Sequence, residues 1–137
     1  MTATPKIARE VAEAEFERMC AARRIDTNTS TMSEAQLATW TELREDILRD
    51  LQSGDLIVGA DALPTYQPPV AGVRAFTFHP SLGKTWITMG AHVVNHMEGM
   101  VVAMAHMARC DRIEFEKLET PDFFACNRIG QLFLLRR

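Results

Sequence analysis

The chain is 137 residues long, with 47 % hydrophobic and 24 % charged side chains and a formal net charge of −3, which fits one folded domain with a sizeable core. Residues 1–54 carry seven basic and ten acidic side chains and residues 55–137 eight of each, so the whole acidic surplus lies early. No basic excess suits a nucleic-acid partner.

The cysteines Cys20, Cys110 and Cys126 are odd in number, widely spaced and without a CxxC pair, which argues for a reducing, cytosolic setting rather than a disulfide frame or zinc knuckle. The N-terminus is too charged for a signal peptide. The most apolar stretch, Met97 to Ala108, is interrupted by Glu98 and His106 and is too short to span a membrane.

Residues 5–24 read as a helix opened by Pro5, with Ile7, Val11, Phe16, Met19 and Cys20 on its apolar face. The polar run from Ile25 to Thr31 predicts a loop, since short polar side chains compete for the backbone there. A second helix starts at Ser33, which with Gln36 forms a capping box, flanked by Met32 and Leu37 at staple positions. Leu37, Trp40, Ile47, Leu48 and Leu51 follow on one stripe, and Gly54 stops the helix.

Leu56–Val58 and Leu63–Tyr66 predict a small hairpin, with Pro64 expected to confine its strand to an edge. The segment from Gln67 to Gly72 is a stiff connector. It divides an N-terminal helical extension with a hairpin (1–67) from a C-terminal unit (73–137), which can also pack together as one domain. Residues 73–78 alternate as a half-buried strand does, and Thr85–Thr88 read either as a return strand or as a helix start. A helix is expected from Ala91 to Arg109, a short one from an Asp111–Glu114 capping box to Leu118, and a last one capped at Thr120 with Pro121 in its first turn. That last helix carries Phe123, Ile129, Leu132 and Phe133. The expected fold class is α+β and mostly helical: an N-terminal helix pair, a small central β-hairpin with strands, and a C-terminal helical bundle.

Few residues suggest chemistry. His92 and His96 stand four apart, but Val93 occupies the place where a zinc protease needs Glu. His106 and Cys110 repeat the spacing, yet His92 and Cys110 would lie about 27 Å apart along a helix, so the four cannot share one ion. These residues are weak metal candidates, more simply solvated or boundary side chains. No nucleophile–base set and no phosphate-binding glycine loop is present. The expectation is a non-enzyme without cofactor.

The stripe Val93, Met97, Met100, Met104 and Met107 repeats at four and three residues, an a/d-type seam. Methionine repacks easily, so such a seam serves either as an internal core closed by the last helix and Trp40 or as a surface for a client or a second copy. Leu132 and Phe133 form a second apolar cluster, read either as a docked helix or as part of that surface. Glu10, Glu13, Glu15 and Glu17 make the first helix acidic, a solvated face or one that meets a basic partner.

Several motifs occur in a telling order: Phe76-Thr77-Phe78-His79-Pro80 with Gly83, the Met-rich segment Met100–Met107, Leu118 to Asp122, and Leu132-Phe133-Leu134. Together with Phe115–Leu118 and Asp122–Cys126 they resemble the small tail assembly chaperones of long-tailed phages of the Mu-like and related groups. Glu15–Met19, the loop at 26–31, Gln52–Val58 and Leu63–Tyr66 resemble the N-terminal extension of longer members, so the resemblance covers most of residues 14–135. It implies a non-enzymatic protein of the host bacterial cytoplasm, absent from the mature virion. Such a protein shields the tape-measure protein and helps recruit tail-tube subunits, with self-association open and no nucleic-acid or membrane partner. On that reading Val93, Met97, Met100, Met104, Met107, Leu132 and Phe133 bind the client. The alternatives are a phage-encoded regulator or inhibitor acting through protein–protein contacts, or a small helical metalloprotein using His92, His96, His106 or Cys110.

Overall fold

A computed structural model describes residues 6–90 and 96–135. It contains α1 (Arg9–Ala22), α2 (Glu34–Ser53), β1 (Leu56–Val58), β2 (Pro64–Tyr66), β3 (Phe76–Thr77), α3 (Gly83–Gly90), α4 (His96–Ala108), α5 (Ile113–Glu116) and α6 (Thr120–Leu135). The fold is mostly helical α+β, with one small antiparallel sheet in the order β1-β2-β3. No helix among the described residues is long and apolar enough to cross a membrane.

α1 buries Ala12, Phe16, Met19 and Cys20, whereas Val11 is 49 % exposed. Phe16, Met19 and Cys20 face the core as expected, and Ala12 stands there in place of Val11, one step of about 100° away. The loop that follows is built as its polar side chains dictate. The Asn28 N–H donates to Asp26 Oδ1 at 2.9 Å and the Ser30 N–H to Asn28 Oδ1 at 2.9 Å, two consecutive Asx turns. α2 starts on the expected capping box, with both reciprocal bonds between Ser33 and Gln36 formed. It ends at Gly54, whose φ of +84° is the left-handed stop. Trp40, Ile47, Leu48 and Leu51 are buried; Leu37, at the edge of that stripe, is 42 % exposed.

The hairpin forms where expected, Leu56 opposite Tyr66 and Val58 opposite Pro64. β2 is nevertheless the central strand, because β3 pairs on its other side. Pro64 is tolerated there because it is the first residue of the strand, and its carbonyl accepts from the Phe78 N–H at 3.0 Å. Only Phe76 and Thr77 of the expected strand at 73–78 form ladder pairs. Thr65 and Thr77 hydroxyls meet across the pair at 2.7 Å. Phe115, on the single turn of α5, stacks on Phe76 at 4.6 Å and tilts against Phe78 at 6.1 Å. The expected Asp111–Glu114 capping box does not form: the N-cap is Arg112, without a side-chain cap bond, Asp111 accepts from the Ile113 N–H at 3.1 Å just ahead of the turn, and Glu114 accepts from Lys117.

Thr85–Thr88 belong to a helix, α3, and the helix expected over 91–109 is described from His96. α3 is anchored by a polar residue. Thr85 is fully buried, accepts from the Leu82 N–H at 3.0 Å and lies 2.6 Å from His106 Nδ1, while Leu82, Trp86 and Ile87 face outward.

α4 is apolar nearly all round, and Gly99 is buried within it. It packs on α6 at a glycine. A Cβ added at Gly130 would stand 3.1 Å from Met104 Cγ, 3.5 Å from Met100 Sδ and 3.8 Å from Met107 Cε. One buried cluster runs from Ala12 through Trp40, Tyr66 and Met104 to Leu134, so residues on both sides of the 67–72 connector share a core.

Two helix ends carry strain. Arg24 (φ 58°) and Arg109 (φ 55°) occupy the left-handed position after α1 and α4, and the next N–H in each case bonds five residues back, Ile25 to Cys20 and Cys110 to Ala105. This is the Schellman stop without its usual glycine.

Gly130→Val should lower unfolding free energy by about 1–3 kcal/mol through overpacking, and adding Met104→Ala should recover part of that loss; urea unfolding of the parent and the two variants checks both. Arg109→Gly should raise stability by about 1 kcal/mol, the order of the left-handed penalty for a side chain, seen as a higher denaturation midpoint at unchanged slope.

Candidate functional site

α2 and α6 pack through their inner faces and leave a cleft between their outer edges. Its first part, about 600 Å³, is lined by Thr31, Met32, Ala35, Gln36, Thr39, Trp40 and Leu43, with Gln131 from α6. Its second part, about 350 Å³, shares Thr39, Leu43 and Gln131 and adds Glu42, Asp46, Met97, Phe124, Asn127 and Arg128. Helical spacing explains the walls: Ala35, Thr39 and Leu43 recur every four residues on α2, and Phe124, Asn127 or Arg128, and Gln131 every three or four on α6. Trp40 is 7 % exposed and leans on Phe16, ring centroids 6.2 Å apart, whereas Met97 and Phe124 are 49 % and 45 % exposed.

Polar groups beneath the cleft hold α6 in place. The buried Tyr66 hydroxyl donates to Asp122 Oδ1 at 2.7 Å, tying β2 to α6. Arg128 Nη2 donates to Asp50 Oδ2 at 3.2 Å, tying α2 to α6. Burial outweighs the Arg128 charge at Asp50 and holds its carboxyl above the usual carboxylate range. Burial, then the Asp122 bond, pushes the Tyr66 phenol upward. Burial does the same to the thiols, raising Cys126 and taking Cys20 to about 12. The buried Asn127 amide accepts from Gln131 Nε2 at 2.5 Å, and its own nitrogen faces the Met104 sulfur 3.9 Å away.

The structure divides the expected client-binding residues. Met97 is on the surface at the cleft and Met100 is partly buried. Met104, Met107, Leu132 and Phe133 are at most 1 % exposed and are core residues, not surface ones, because Gly130 lets α6 close over the seam. Val93 lies outside the described residues, as does His92. His96 is exposed. His106 and Cys110 do not share a helix face, since α4 ends at Ala108 and Arg109 turns the chain; His106 instead bonds Thr85. Among the described residues no three His, Cys, Asp or Glu side chains converge as a metal site would require.

Sequence reading missed Met32, Leu43 and Phe124 as cleft residues. Phe123-Phe124 did carry a signal: adjacent helical residues point about 100° apart, so both cannot fill one core. Phe123 packs inward and Phe124 meets it edge-on at 5.8 Å.

No protein-family model, no curated protein and no solved structure matches the chain.

The raised thiols and phenol fix the sign of the alkaline response. The unfolded chain releases these protons from about pH 8.5 (thiol) and about pH 10 (phenol), the folded chain only later, so their stabilisation is complete below that range and lost as pH rises. The denaturation midpoint should therefore fall between about pH 8.5 and 11, and Cys20→Ala/Cys126→Ala should flatten that slope whatever it does to the absolute midpoint. Equal slopes in both proteins would contradict the assignment.

Proposed function

We propose that this protein is a non-enzymatic chaperone that holds an apolar helix of a client in the α2–α6 cleft. In the setting its motifs resemble, that client is the tape-measure protein of a phage tail, shielded in the host cytoplasm while tail-tube subunits are recruited. The observation that carries the reading is the cleft itself, with Met97 and Phe124 half-exposed beside it. A helix of diameter about 10 Å laid along the groove would cover both side chains, and removing such half-exposed apolar groups from water contributes about 1 kcal/mol each. Methionine at the rim adapts to a varied client stripe, and a partner helix read by its apolar face is an established mode of recognition.

The adaptable surface is smaller than the whole methionine seam. Met97 contributes directly, while Met100, Met104 and Met107 support α6 from below. A phage-encoded inhibitor of a host protein would use the same groove for a different helix.

Co-expression with a long helical tape-measure protein should increase recovery of that client in the soluble fraction. Met97→Glu/Phe124→Glu, both at exposed positions, should keep the circular dichroism spectrum of the parent and abolish the gain. Client recovery that is the same with and without the chain overturns the proposal.

A further inference from the structure

We infer that the cleft selects helices carrying a lysine or arginine beside their apolar stripe; this rests on the cleft being a helix-docking site. The argument is one of charge. Three charged side chains line the second part of the cleft: Glu42, Asp46 and Arg128. Arg128 is committed to Asp50, where the partly buried pair ties α2 to α6, so its charge is offset within the protein. Asp46 is shared with Arg49, whose side chain is 73 % exposed and does not line the cleft. Glu42 makes no ion pair among the described residues and is exposed.

The second part of the cleft therefore sets Glu42 and Asp46 beside the apolar Leu43, Met97 and Phe124, while the first part, with Met32 and Trp40, is lined by no charged side chain. The acidic surplus of the chain falls in the same segment, residues 1–54, so the wider field around α2 has the same sign. A neutral or acidic helix edge would leave Glu42 without a counter-charge while displacing its water, an unfavourable exchange. A basic edge would pair with Glu42 and Asp46, steer approach and fix the direction in which the helix lies.

Two synthetic peptides of about 20 residues, long enough to form helix on docking, test this. They share one leucine and alanine stripe and differ only in bearing lysine or glutamate at its edge, and each is titrated into the full chain by fluorescence anisotropy at low salt. The lysine peptide should bind roughly 3- to 10-fold tighter, with the preference shrinking at high salt. Glu42→Gln should reduce the preference and Glu42→Lys should abolish or reverse it. Equal binding of both peptides, or tighter binding of the glutamate peptide, overturns the selectivity and leaves the docking site standing. Binding of neither peptide overturns the docking site, and the selectivity with it.

Discussion

Three methionines of α4 rest on one glycine of α6. Met100, Met104 and Met107 converge on Gly130, and the absence of a side chain there lets the two helices approach as closely as they do. The rest of the molecule follows from that approach. α4, apolar on nearly every face, becomes the centre of the C-terminal half, and α6 becomes the element on which α2, β2 and α4 all pack. Flexible side chains fill the contact without demanding one arrangement, so the position of α6 needs further definition.

Polar bonds supply that definition. Tyr66 reaches Asp122 from the sheet and Asp50 reaches Arg128 from α2. Both pairs are expensive to leave unmade in a low-dielectric interior, so they favour one placement of α6 among the several that a methionine seam would accept. The sheet, α2 and α6 are thereby held as one unit, and the cleft between α2 and α6 is the space that this placement leaves unfilled. Its apolar end comes from α2 and its exposed rim from Phe124 and Met97.

α3 is built the other way round. Its fully buried anchor is a threonine hydroxyl against an imidazole, and Trp86 and Ile87 face outward while Met89 packs on the core. A helix whose fully buried residue is polar and whose apolar residues at 86 and 87 are exposed is poorly announced by hydropathy, which is why residues 85–88 read equally well as strand or helix. The left-handed arginines at the ends of α1 and α4 escape pattern reading for a related reason: glycine marks such stops, and neither carries one.

Local chemistry was legible from the amino acids alone. The capping box at Ser33, the glycine stop at Gly54, the polar loop after α1 and the hairpin from Leu56 to Tyr66 depend on neighbours a few residues away, and all stand where the sequence places them. The helical character of residues 96–108 and 120–135 was equally plain from spacing. Spacing alone left open which side of the methionine stripe faces water, because a pliable apolar seam looks the same whether it receives a client or a helix of its own chain. The tertiary structure decided this through Gly130, buried Leu132 and Phe133, and the polar ties at Asp122 and Arg128. Those contacts join residues far apart in sequence, and the cleft exists only between surfaces that they bring together.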